Sequence, residues 1–178
     1  EEYCADCKSR KRGFCQGRGV FLYNMQMKQS LLRYKYYGSR EYGQYYAEEI
    51  SRYVGTQIKR WNPDILVPVP MTCRKKRIRG FNQAEDLAEK IGELLQIPVA
   101  AGLAVKKRET KSQKKLNAAE RMRNLKDAFQ ITESVRGLRI LIVDDVYTTG
   151  STIETLAECL KESGAREIYF VTLCIGQL

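Results

Sequence analysis

Asp144 and Asp145 stand side by side after an unbroken apolar run, Ile140 to Val143, and just before the turn Thr148-Thr149-Gly150-Ser151-Thr152. Adjacent carboxylates repel phosphate but accept hydrogen bonds from sugar hydroxyls. A helix that opens on the turn offers unpaired backbone N–H groups and the positive end of its dipole, which hold phosphate. Gly150 lets the backbone come close to an anion, and the threonine and serine hydroxyls add donors. Acids for a ribose and amides for its phosphate together describe a phosphoribosyl site. The same order also suits a strand, a capped turn and a helix with no ligand at all. Other phosphate motifs fit worse. There is no Gly-x-x-x-x-Gly-Lys-Ser/Thr, and Gly17-Arg-Gly19 lacks a third glycine and a preceding strand.

The elements that must position these groups can be read from periodicity. Ile140 to Val143 suits a strand buried on both faces, and ligands of open α/β sheets bind outside the carboxyl ends of strands. Ile153 to Ser163 is the helix after the turn. Upstream, Gly19 to Tyr23 reads as a short strand, and Met25 to Tyr37 and Arg40 to Trp61 as helices broken near Gly38-Ser39. Asp64 to Val69 is the first core strand, ending in Pro68-Val-Pro70-Met71-Thr72. The basic stretch Arg74-Lys75-Lys76-Arg77-Ile-Arg79 follows, and Asn82 caps a helix over Gln83 to Leu95. Val99 to Val105 and Ala128 to Ile131 read as strands, Asn117 to Asn124 as a short helix, and Ile168 to Ile175 as the last strand. Strands alternating with helices predict a parallel sheet with right-handed crossovers. The tyrosines from Tyr34 to Tyr53 are interleaved with Lys and Arg. Their helical spacing suits a half-buried packing face, or a platform for stacked bases.

Composition narrows the chemistry. The chain has no histidine, which excludes Ser-His-Asp triads, His-Glu-x-x-His zinc sites and histidine bases. With 43% hydrophobic and 29% charged residues it can bury a core and should stay in solution. No apolar run suits a membrane span and no signal peptide is visible, so a cytoplasmic protein is expected. The formal charge of +10 is uneven. Residues 1–60 carry +6 and 61–125 carry +7, whereas 126–178 carry −3. The positive excess lies outside the sugar-phosphate turn, which suits either an anionic partner or a solvated basic surface. Cys159 and Cys174 fall in apolar helix and strand contexts and read as buried small hydrophobes. Cys4-Ala-Asp-Cys7 is a single C-x-x-C. It supplies two of the four ligands that structural zinc takes, so residues 1–18 read as the tail of a zinc ribbon or a degenerate one. Residues 19–178 then form one α/β domain.

Asp-Asp-x-x-Thr-Thr-Gly-x-Thr after an apolar strand resembles the phosphoribosyl pyrophosphate (PRPP) loop of the type I phosphoribosyltransferases. The wider order is Pro68-x-Pro70, then Arg79-Gly80-Phe81-Asn82-Gln83, then Gln113 with Arg121-x-x-Asn124 and Phe129, then the acid pair and its turn. It is similar to the ComF-like competence proteins, from about Cys4 to the C-terminus. That resemblance implies a type I phosphoribosyltransferase-like parallel sheet flanked by helices, behind a short Cys-rich segment in which Cys4 and Cys7 hold zinc. Asp144 and Asp145 would hold the ribose hydroxyls and Thr148, Thr149, Gly150, Ser151 and Thr152 its 5′-phosphate. Met71, Thr72, Arg74 and Arg79 would face the pyrophosphate. Mg²⁺ would accompany PRPP, and the loop Lys106 to Lys115, with Lys111 and Gln113, would close as a lid. The resemblance also implies handling of single-stranded DNA in natural transformation, with competence proteins as partners. Lys75, Lys76, Arg77 and Arg79 are the nucleic-acid candidates. In purine-salvage relatives an acid stands where this chain has Thr148, so free purines are disfavoured as acceptors. A phosphoribosyl transferase and a non-catalytic DNA-handling protein both remain open.

Overall fold

The computed structural model describes residues 12–37, 41–107 and 128–176. The elements are β1 (Gln16–Leu22), α1 (Met25–Tyr36), α2 (Glu41–Trp61), β2 (Ile65–Pro68), α3 (Cys73–Arg79), α4 (Gln83–Leu95), β3 (Ala104–Lys106), β4 (Phe129–Ile131), β5 (Arg139–Tyr147), α5 (Ser151–Glu162) and β6 (Glu167–Ile175). The main sheet has the order β1-β6-β5-β2 and all of its pairs are parallel. Its two central strands are largely buried, as expected where both faces are covered.

Alternation along β5 sorts the core into two layers. Ile140 and Ile142 pack on one side with Ile153, Leu156 and Leu160 of α5 and with Phe170. Leu141 and Val143 pack on the other with Ile50 and Ile58 of α2, Leu87 and Ile91 of α4, and Leu31 and Tyr34 of α1. Each of these side chains is at most 4% exposed. Burial on this scale contributes about 1.5–3 kcal/mol per large apolar side chain.

Three sequence expectations are altered. Val99 to Val105 is not one strand: Val99 makes an isolated parallel bridge to Leu66 at the sheet edge, and the chain turns before β3. β3 pairs antiparallel with β4 in a separate two-stranded sheet against α5, so neither extends the main sheet. The basic stretch, for which the sequence predicts no element, forms a helix over residues 73–79. This helix has no buried residue, so no apolar period announces it in the sequence. β1 begins at Gln16, inside the stretch read as a Cys-rich appendage. Phe14 just ahead of it is buried edge-on against Phe170, with ring centroids 4.8 Å apart.

Candidate phosphoribosyl site

β5 does not stop at the acids. It runs on to Tyr147, paired with β6 through Asp144↔Thr172, Val146↔Cys174 and Tyr147↔Ile175. β2 has already ended at Pro68, opposite Val143, and Val69 adds one last N–H to the Val143 carbonyl at 2.9 Å. The acids therefore stand where one neighbour of β5 has left the sheet, which opens a crevice at a carboxyl edge.

The turn after β5 lines a small hollow of about 30 Å³, formed by Asp144, Val146 and residues 147–153. Thr148 and Thr149 are exposed. Thr149 Oγ1 lies 3.1 Å from Ser151 Oγ and accepts the Ser151 N–H at 3.5 Å, while Gly150 at the cap position offers no side chain. The positive end of α5 thus lies at the hollow. Gly150 sits at φ 72°, a left-handed conformation that glycine adopts without strain. All five turn residues singled out in the sequence are gathered here.

The two acids have different surroundings. Alternation sends Asp144 to the α5 side, where it lines the hollow. Asp145 goes to the other side and is buried. There it pairs with the Lys35 ammonium of α1 and hydrogen-bonds the Gln83 side chain of α4. The Asp145 amide donates to Asp144 Oδ1 at 2.9 Å. Burial, then the neighbouring Asp145 charge, push the Asp144 carboxyl well above the usual carboxylate range. Burial also opposes ionisation of Asp145, but Lys35 outweighs it and holds that carboxyl below the usual range.

Met71 and Thr72 leave the end of β2 and lead into α3. The side-chain amide of Asn82 donates to the Val69 carbonyl at 3.0 Å, and its side-chain carbonyl caps α4 through the Ala84 N–H at 3.1 Å. The capping role expected of Asn82 is met, and its second bond pins residues 70–81 as an excursion over the carboxyl edge. Arg74, Lys75, Lys76 and Arg77 are exposed on that excursion, and Lys76 pairs with Glu85 at 3.0 Å. Arg79 is engaged: it donates to Gln83 and, at 2.8 Å, to the Tyr36 hydroxyl, with its guanidinium 4.8 Å from the Tyr36 ring centre.

The tyrosine set divides between its two readings. Tyr34 and Tyr46 are core residues, whereas Tyr36, Tyr37, Tyr45 and Tyr53 are exposed. Cys159 and Cys174 are buried, and burial pushes both thiols up to about 12. Cys4, Cys7, Lys111, Gln113, Arg121 and Asn124 lie outside the described residues, as does the lid from residue 108 on. Among the described residues no group of three or more His, Cys, Asp or Glu side chains could hold a metal, and no helix is long and apolar enough to cross a membrane. Sequence reasoning missed Lys35 and Gln83 as partners of the acid pair. The only signal for either was the place of Gln83 beside Asn82 in the basic motif.

The phosphoribosyl transferase domain family matches residues 42–177. DNA utilization protein YhgH of Salmonella typhi is 39% identical over 112 residues, which cover 63% of this chain and 49% of that protein. Competence protein ComFC of Bacillus subtilis is 34% identical over 172 residues, covering 90% of this chain and 67% of its own length. A solved purine phosphoribosyltransferase from Pyrococcus horikoshii superposes with a TM-score of 0.47 at 16% identity, over 74% of this chain and 83% of that one. The chain spans about half the length of the first curated relatives it matches.

Proposed function

Since this chain belongs to the phosphoribosyl transferase domain family and groups with the ComF-like competence proteins, we propose that it binds PRPP in the hollow after β5 and transfers its phosphoribosyl group to a nucleophile. One observation carries this reading: a helix start lined with hydroxyls and opened by a left-handed Gly150, beside a carboxyl at the open edge of β5. The turn 148–152 would hold the 5′-phosphate through backbone N–H groups. Asp144 would hold the ribose hydroxyls. Loss of pyrophosphate builds positive charge on the ribose ring, as in glycoside cleavage, and a carboxylate beside the ring stabilises that charge.

Asp144 and the hydroxyls of residues 148–152 would meet magnesium PRPP in the hollow, and the magnesium would supply charge neutralisation for the departing pyrophosphate. Met71 and Thr72, which lead out of β2, and Arg74 on α3 would face that leaving group. Calorimetric titration with magnesium PRPP tests the reading, and no heat and no thermal stabilisation would reject it.

A second reading draws on α3 and on names. The exposed cations Arg74, Lys75 and Arg77 form a surface that suits a phosphate backbone, and the relatives are called DNA utilization and competence proteins. The chain would then handle single-stranded DNA, with the hollow gripping phosphorylated ribose. Titrating PRPP with and without an oligonucleotide separates the two: competition places both ligands in one site, and independence places the polymer on α3.

A further inference from the structure

Helix α1 lies outside the stretch matched by the family, residues 42–177, yet it sends Lys35 to the acid pair. The Lys35 side chain is 19% exposed and that of its partner Asp145 only 8%. Gln83 hydrogen-bonds the same carboxylate from α4 and is in turn held by Arg79, which bonds Tyr36 of α1. The second acid is thus gripped from two helices behind the sheet, and Asp144 is left facing the hollow.

Two ionised carboxylates this close repel one another, and both would repel a polyanionic ligand. We infer that Lys35 is a positioning residue for the phosphoribosyl hollow: it locks Asp145 behind β5, so that Asp144 alone meets the ligand and the pair presents one negative charge rather than two. This rests on the phosphoribosyl reading above. The ionisable and polar groups seen around Asp145 fit the assignment. Lys35 and the Tyr34 hydroxyl come from α1, Gln83 from α4, Asp144 from β5 itself and the Cys174 thiol from β6. Lys35 is the one cation in that set. The lowered Asp145 carboxyl agrees with a charge that Lys35 holds.

The test uses the full chain with Lys35→Met, Lys35→Arg and the double variant Lys35→Met/Asp145→Asn. Magnesium PRPP is titrated by calorimetry across the neutral range, and the aspartate carboxyls are followed by ¹³C NMR in the ligand-free protein. Lys35→Met is expected to weaken binding about tenfold or more, because a buried carboxylate is left without its cation. Lys35→Arg restores most of that loss. The double variant also recovers part of it, because the stranded charge is gone. In the spectra, Asp145 titrates low in the wild type and moves up in Lys35→Met. Unchanged binding with an unmoved Asp145 titration in a folded Lys35→Met overturns the inference. So does weakened binding that neither Arg nor the double variant recovers. If Lys35→Met does not fold, the Arg and double variants carry the comparison. A wild type that ignores magnesium PRPP, while Asp145 still responds to Lys35→Met, rejects the phosphoribosyl reading and leaves Lys35 in control of the pair.

Discussion

The ring of Tyr147 fills the space that a side chain on Gly150 would need. Tyr147 lies flat on Phe170, with centroids 5.0 Å apart and planes 5° from parallel, so the ring is held in the core and cannot step aside. The phosphate turn is therefore folded back over the end of its own strand. Gly150→Ala is expected to cost about 1–3 kcal/mol, from the left-handed backbone and the overlap together. Chemical denaturation reads that loss, and magnesium PRPP should give the variant little or no thermal stabilisation.

Asp144→Asn separates stability from binding. The folded carboxyl is raised by burial and by Asp145, so the folded state holds its proton more tightly than the unfolded chain does. Its contribution is fully present below the ordinary carboxylate range and is lost as pH rises through the raised value. Asparagine keeps the shape and cannot ionise. The variant should lack this part of the pH dependence and be at least as stable as wild type near neutrality. It should lose the stabilisation by magnesium PRPP. Thermal unfolding across pH, with and without ligand, checks both halves.

On α3 the cations can be removed without touching the core, since none of its residues is buried. Arg74→Gln with Arg77→Gln should leave unfolding within about 0.5 kcal/mol of wild type. If a single strand tracks this helix, the salt slope of its binding should fall by about 0.7 for each phosphate that is no longer neutralised. An unchanged slope would falsify the placement of a polymer on α3.

Glu154 fastens the start of the described chain to the phosphate helix. Its carboxylate takes the Arg12 guanidinium at 2.6 Å and the Gly13 N–H at 2.9 Å, and both side chains of the ion pair are about nine-tenths buried. Glu154→Ala removes the buried carboxylate that Arg12 and Gly13 share and should cost about 3 kcal/mol, whereas Glu154→Gln keeps the shape and costs less. Denaturant unfolding measures the difference. Limited proteolysis ahead of β1 should quicken in the alanine variant.

Local chemistry was legible in the sequence. The apolar run, the acid pair, the hydroxyl- and glycine-rich turn and the following helix are contiguous, so their order alone implies a strand–turn–helix with the acids at the strand's end. The Asn82 cap was legible for the same reason, since a cap acts on amides two or three residues away. What escaped had no local period. α3 buries nothing, so it leaves no stripe to read, and the edges of β1 and β3 are set by partners far along the chain.

By itself the sequence determined that two carboxylates and a hydroxyl- and glycine-rich turn would stand together at the end of a buried strand. Only the tertiary structure decided that the two acids differ. Neighbouring residues of a strand point to opposite faces, so the pair had to be divided by the sheet. Which member would be neutralised depended on what packed behind it. That is Lys35, carried on a helix near the other end of the chain, whose approach no spacing around Asp145 encodes.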